Sequence, residues 1–355
     1  MKQAGAIANW AQPAYFLVLF ICFLAAALAA VNLPGNSLLV LNGHTMGTRY
    51  RILLDSSSLA SVAARSALQT AIDERLQQLD KGIFSTYEST SQLSTLNQAT
   101  VGEALVVSAD LANVIESAKL IHEKSAGAFD VSLKPVVDLW GFGGSDTARE
   151  IPDQTRLEKA LAKVDMNAVE VQREGGNFSV TRHKAVALDL SALAKGYAVD
   201  QLALLLESSG LQNYLVEIGG EVISRGLRPD GKYWRIGIER PVQAPPQLFR
   251  QIKGSRDKMA IATSGSYQNY FVINNHRYSH VINPVTGWPI SHDLVSVTVL
   301  HSSAMTADAW ATALLILGAE EGMKLANALQ LPVYFIVDDR AGLSGHSSDA
   351  FCRYL

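Results

Sequence analysis

Strand-like and helix-like runs in this sequence come in clusters rather than in regular alternation, and that ordering constrains the fold more than any other feature of the chain. Leu38 to Leu54, LLVLNGHTMGTRYRILL, is two β-rich runs around a turn region at Gly43 to Gly47. Helical spacing follows at Leu59 to Leu79, where Val62, Ala63, Leu68, Ile72, Leu76 and Leu79 recur among polar neighbours ahead of Gly82. A similar pattern covers Ala109 to Ala126 and stops at Gly127. Shorter helices are predicted at Thr155 to Ala162 and Gly196 to Ser208. Strands are predicted at Ala168 to Gln172, Asn177 to Thr181, Tyr214 to Ile218, Tyr233 to Ile238 and Met259 to Thr263. Further strands are predicted at Phe271 to Ile273, Tyr278 to Ile282, Leu294 to Leu300 and Val333 to Val337. The Pro-rich stretch Pro241 to Pro246, running on to Lys253–Arg256, reads as an exposed loop between strands. A doubly wound sheet needs a βαβα series, so this order predicts an α+β fold.

Ahead of these runs, Ala14 to Val31 is eighteen residues without a charge. Residues 1–30 therefore read as a signal peptide or membrane anchor. Ala27-Leu28-Ala29 fits the small-x-small rule for cleavage, and the run is also just long enough to span uncleaved. Lipidation at Cys22 is a third reading, weakened by the branched Ile21 before it. All three place a single large exported domain, residues 38–345, outside the cytoplasm. Hydrophobic residues make up 48% and charged residues 18%, against roughly 25% charged in an average domain, which excludes disorder. A formal charge of -3 offers no basic field for a phosphate backbone, so nucleic acid is not an expected partner. With 2 cysteines in the chain, neither a disulfide scaffold nor a thiolate metal cluster is possible. Any metal must be held by oxygen or imidazole.

On a helix through Thr306 to Thr312, Asp308 and Thr312 lie four apart on one face, so a carboxylate and a hydroxyl converge. Such a pair suits magnesium, which takes few protein oxygens and completes its shell with water and substrate phosphate. An ordinary helix-terminal Asp and a Thr bonded to its own backbone fit the same spacing. Leu188 to Asp200 passes from a strand end into a helix, where free amides and Lys195 could hold an anion such as a pyrophosphate. A cap by Asp189 or Ser191 with a solvated lysine is the plainer alternative. Gly219-Gly220 follows a strand and permits either close backbone approach to a ligand or a simple turn. Trp140 to Gly144 lacks the flanking strand and helix of a dinucleotide fingerprint, and Ala262 to Ser266 lacks the first glycine of a hydrolase elbow. His276 and His280 share a strand face without the glutamate of a zinc protease, and His280 stands where a loop begins.

Taken in order, these segments resemble the FAD:protein FMN transferase family, also called ApbE. The resemblance runs through Gly43-His44-Thr45-Met46-Gly47-Thr48, Phe84-Ser85-Thr86-Tyr87, Gly127-Ala128-Phe129-Asp130-Val131-Ser132 and Leu139-Trp140-Gly141-Phe142-Gly143. It continues through Asp189 to Asp200, Glu217 to Glu221, Ile261 to Tyr267, Tyr278 to Pro284 with Thr286-Gly287, and Thr306 to Thr312. It implies a T-fold-like architecture, an antiparallel β-rich core with flanking helices. It also implies an exported enzyme that splits FAD at its pyrophosphate and joins FMN to a threonine of a partner protein, releasing AMP. By the same resemblance magnesium would be held by Asp308, Thr312 and the carbonyl of Ala192. FAD would be contacted by Met46, Tyr87, the Ala128-Phe129-Asp130 turn, Asp189 and Lys195. His280 would be a proton acceptor or flavin contact. Acceptors of this kind include subunits of ion-pumping NADH:quinone reductase and Rnf-type electron-transfer complexes, at the periplasmic face of a bacterial inner membrane. A magnesium-dependent FAD pyrophosphatase giving FMN and AMP, or a non-catalytic exported FAD-binding protein, are the alternative functions.

Overall fold

A computed structural model of the chain describes residues 38–59, 61–143, 149–242, 245 and 247–354. The expected leader and Cys22 lie outside the described residues, as do Gly144 and part of the Pro241–Pro246 stretch. No described helix is long and apolar enough to cross a membrane.

The frame is an eight-stranded sheet built from β1 (Leu38–Thr45), β2 (Thr48–Asp55), β6 (Tyr214–Ile218), β7 (Glu221–Arg225), β10 (Met259–Gly265), β13 (Leu294–His301), β14 (Val333–Asp339) and β15 (Gly342–Ser347). Neighbours follow in that order and every pairing is antiparallel, as an α+β fold requires. Strand periodicity sorts the side chains. Tyr214, Val216 and Ile218, Ala260 and Ala262, Val297 and Val299, and Val333 and Phe335 enter the main core, while Leu215, Met259 and Ile261, Leu300, and Tyr334 and Ile336 face the opposite cluster. Both faces are therefore covered.

Among the described residues six helices cover the main face, α1 (Val62–Gln77), α2 (Gln92–Gln98), α3 (Ala109–Lys124), α6 (Ser191–Ser208), α7 (Ala304–Leu317) and α8 (Ala319–Ala328), while α4 (Lys134–Leu139) and α5 (Gln154–Leu161) pack with each other around Trp140. The opposite face is closed by the hairpin of β8 (Arg235–Glu239) and β9 (Leu248–Lys253), which supplies Ile236, Ile238 and Ile252. That strand corrects the expectation of a plain loop up to Arg256. A separate three-stranded sheet pairs β5 (Asn177–Arg182) between β3 (Ala104–Val107) and β4 (Val169–Glu174). The first helix also runs on past Gly82 as a π-helical turn to Phe84, where the sequence suggested a stop.

A third cluster forms around Trp140, which is fully buried with Leu133, Val136, Leu157 and Ile282. The hairpin of β11 (Tyr270–Ile273) and β12 (His276–Ser279) stacks Phe271 and Tyr278 beside it. The Trp140 indole donates to the Gly287 carbonyl at 2.8 Å, tying α4 to the loop after His280. Trp140→Phe leaves that carbonyl without its donor and opens a small void. It is expected to cost about 1–3 kcal/mol, read as a shifted urea midpoint at unchanged slope.

Candidate active site

Two tight hairpin turns open the site. Met46 and Gly47 both carry positive φ, 48° and 71°, the geometry of a two-residue turn that matches strand twist. The Met46 amide donates to Asp80 at 2.9 Å, which fixes this turn to the π-helical segment. Gly219 and Gly220, at φ 60° and 107°, make the equivalent turn between β6 and β7. A Cβ on Gly219 would sit 2.8 Å from the Thr48 methyl, so the pair turns the chain and packs closely against β2. The turn places Glu221 at the start of β7 on the same face as the core residue Ile223.

The central feature is a pair of antiparallel helices, α6 lying on β6 and β7 and α7 lying on β10 and β13. Small residues let them approach. Ala307, Ala309, Ala311 and Ala313 of α7 and Ala260 and Ala262 of β10 are all buried, and an added Cβ on Gly196 would lie 2.4 Å from the Ala304 carbonyl oxygen. Helix α6 begins at Ser191, not at Gly196 as the sequence suggested, because the glycine serves helix contact rather than helix start. Asp189 accepts from the Ser191 amide at 2.9 Å, and its own amide donates to Val131 at 2.8 Å. That bond joins the start of α6 to the Ala128-Phe129-Asp130 turn. Asp130 in turn accepts from the Ser132 amide at 2.8 Å and hydroxyl at 2.5 Å, and its other oxygen lies 3.4 Å from His122.

Where the helices meet, Lys195 lies 2.8 Å from Glu221 and 3.7 Å from Asp308. Asp308 also accepts weakly from the Gly196 amide at 3.3 Å. Both carboxylates are 3% exposed, and one oxygen of Glu221 has no hydrogen-bond partner. Burial pushes the Asp308 carboxyl up and Glu221 adds to this, while Lys195 opposes it. Glu221 is raised for the same first reason, again against Lys195. Burial works against the Lys195 ammonium, but Asp308 and Glu221 outweigh it and hold its pKa above the ordinary value. Two carboxylates facing one ammonium where water is scarce favour uptake of a further positive charge, either a proton or a cation. Thr312, one turn beyond Asp308, hydrogen-bonds the Ser264 hydroxyl at 3.0 Å and not its own helix.

These groups open into a cleft of about 760 Å³, within the range of small-molecule sites. Met46, Tyr87, Phe129, Asp130, Asp189, Ala192, Lys195, His280, Asp308 and Thr312 all line it, together with Phe84, Phe142 and Glu221. Ala128 is buried and does not line it; its neighbours in the turn do. Tyr87 is 73% exposed and stands at the rim. His280 follows the end of β12 rather than lying within a strand. Its Nδ1 is 3.0 Å from the Asn269 carbonyl, an acceptor, so Nδ1 carries the proton and Nε2 keeps the lone pair. Burial, aided by Lys195 and opposed by that bond, lowers the His280 pKa, leaving a neutral imidazole at pH 7. Among the described residues no three acidic, histidine or cysteine side chains converge as a metal cage. The cleft lining offers the Asp308 carboxylate and the Thr312 hydroxyl, with Ala192 also lining it, oxygen donors that fit a hard cation and not a soft one.

Glu221 is the residue that sequence reasoning passed over. It closes the Glu217–Glu221 segment, but its role depends on β7 lying next to β10. The one local signal is a glutamate straight after a diglycine turn and ahead of an apolar run.

Fold and cleft together define a class: an antiparallel α+β protein whose cleft combines aromatic walls with a buried carboxylate–lysine cluster, suited, with a cation bound, to a ligand part aromatic and part anionic. The ApbE family model matches residues 46–335. The FAD:protein FMN transferase of Vibrio cholerae is 40% identical over 315 residues, spanning 89% of this chain and 92% of that protein. That of Haemophilus influenzae is 36% identical over 335 residues, spanning 92% and 94%. The solved flavin transferase ApbE from Vibrio cholerae matches with a TM-score of 0.80 at 38% identity, covering 90% of this chain and 99% of that one. The apo form of the Pseudomonas stutzeri flavinyl transferase ApbE gives a TM-score of 0.80 at 32% identity over 91% and 98%. This chain belongs to the ApbE family.

Proposed function

We propose that this protein transfers FMN from FAD to a threonine hydroxyl of a partner protein and releases AMP. The observation that carries this reading is the single cleft that gathers the family's motif residues around the Lys195–Glu221–Asp308 cluster. In the reaction the threonine oxygen attacks the FMN phosphorus. The bond from that phosphorus to the bridging oxygen breaks, AMP leaves with the bridging oxygen, and the threonine proton passes to a base. Positioning and charge neutralisation supply most of the catalysis in such a transfer. Asp308, Thr312 and the Ala192 carbonyl would hold magnesium, which when bound neutralises charge on the pyrophosphate. Lys195 sets a permanent positive charge beside it. Met46, Tyr87, Phe129, Asp130 and Asp189 contact the rest of FAD. His280, neutral and with Nε2 free to accept, takes the threonine proton.

The acceptor is an exported or membrane-bound redox protein, such as a subunit of an ion-pumping NADH:quinone reductase or an Rnf-type complex, met at the periplasmic face of the inner membrane. The uncharged run at Ala14 to Val31 supports that location.

Incubation with FAD, magnesium and an acceptor fragment should give a fluorescent acceptor band that survives denaturing electrophoresis and is lost with a chelator. No band across several such fragments would refute transfer. The pH profile tests His280. A base with a lowered pKa is competent at neutral pH and is lost as pH falls through that value, so kcat/KM should hold near pH 7 and drop only at a pH under the ordinary histidine value. His280→Asn should run about a hundredfold slower without that acid limb. An unchanged acid limb in the variant would assign the base elsewhere.

A further inference from the structure

We propose that Asp200 is a positioning residue that sets the register between α6 and α7, and so the distance between the Ala192 carbonyl and the Asp308–Thr312 pair. The inference rests on the magnesium assignment made above. Ala192, Gly196 and Asp200 are spaced four apart and form one stripe of α6; Ala304, Asp308 and Thr312 form the matching stripe of α7. The two stripes meet in opposite directions. At one end, Asp200 accepts from the Ala304 amide at 2.8 Å, from the Met305 amide at 3.1 Å and from the Ser303 hydroxyl at 2.7 Å. In the middle, Gly196 presses against the Ala304 carbonyl and its amide reaches Asp308. At the far end, Ala192, Asp308 and Thr312 line the cleft.

Asp200 thus caps a helix from outside that helix. The first-turn amides of α7 have no partner within the helix, and Ser303 satisfies the Thr306 amide at 3.2 Å. Asp200 satisfies the two before it and so binds the start of α7 to one point on α6. From Asp200 to Ala192 is eight residues of helix, about 12 Å at 1.5 Å per residue. Sliding α7 by one residue would move Asp308 by about 1.5 Å, a displacement of the size that costs about a hundredfold in a preorganised site. Buried Trp310, Leu314 and Leu315 hold α7 on the sheet, but apolar contacts are non-directional; the three directional bonds to Asp200 fix where the start of α7 sits along α6. Asp200 does not line the cleft and so acts through the helices.

The test is Mn²⁺ binding to the full chain by electron paramagnetic resonance, with Asp308→Ala setting the background. Asp200→Asn keeps the size but replaces one acceptor by a donor aimed at an amide or hydroxyl. It should weaken Mn²⁺ binding by about tenfold, with kcat falling in step and far-ultraviolet dichroism unchanged. Ser303→Ala removes one of the three bonds and should weaken binding by a smaller factor, which keeps the inference testable if Asp200→Asn folds poorly. A merely structural cap would lower the melting temperature and leave Mn²⁺ affinity native in both variants, which would overturn the inference alone. If the native chain shows no Mn²⁺ binding above the Asp308→Ala background, the metal assignment falls and takes this inference with it.

Discussion

Asp308→Ala is expected to lower FMN transfer by about a thousandfold or more without unfolding the protein. A metal clamp on a transferring phosphoryl group supplies several kcal/mol, and each 1.36 kcal/mol is a factor of ten in rate, so losing it removes about three powers of ten. The unusual part of the expectation is the intact fold, since Asp308 is 3% exposed. Removing one partner of a buried ion pair ordinarily strands the other charge and costs about 3–5 kcal/mol. Here Lys195 keeps Glu221 at 2.8 Å, so the ammonium is not left without a partner. Burial already raises the Asp308 pKa, so the carboxylate is a cost to the metal-free fold. The metal-free variant should unfold at an equal or higher urea concentration than the native chain, and the native chain should gain on the variant when magnesium is added. Loss of activity accompanied by a large loss of metal-free stability would mean that Asp308 is a core group and not a ligand.

Gly196→Ala is expected to be strongly destabilising, because the three atoms nearest to an added Cβ are all backbone. The added Cβ would lie 2.4 Å from the Ala304 carbonyl oxygen and 2.7 Å from the Met305 Cα. Both contacts are backbone, so no side chain can rotate away and the helices must separate. Overpacking of this kind costs about 1–3 kcal/mol, and more where the neighbours cannot shift. The general preference of helices for alanine over glycine, about 1 kcal/mol, is outweighed. Gly82, with nothing within 4 Å of its Cβ position and no positive φ, serves as the control for an open glycine. A shift of the urea midpoint for Gly196→Ala worth about 3 kcal/mol, with weakened metal binding, supports close helix contact as the basis of the site. A variant as stable as the native chain would contradict it.

Much of this was legible in the sequence where the signal was local. The β1–β2 pair, α3 and β13 fall close to where periodicity puts them, because each buries a face that repeats at its own period. Asp308 and Thr312 could be paired because four residues on a helix fix a common face. Ala192 and Lys195 sit on the opposing helix, and their relation to Asp308 comes only from tertiary contact; the family resemblance supplied it. Glu221 stayed hidden because its burial depends on a pairing with a strand almost forty residues away in sequence. The strand Leu248–Lys253 was masked by the Pro-rich stretch before it and by polar residues within it. Gly196 misled in the other direction, since a glycine inside a helix reads as a boundary until the neighbouring backbone is seen.

The central claim is that this cleft moves FMN to a protein rather than to water. AMP released and flavin bound covalently to an acceptor fragment can be counted in the same reaction, by chromatography and by the mass of the intact acceptor. Transfer predicts equal amounts of the two, both dependent on magnesium and both lost in Asp308→Ala. AMP and free FMN accumulating while the acceptor mass stays unchanged would contradict the account and leave a pyrophosphatase in its place.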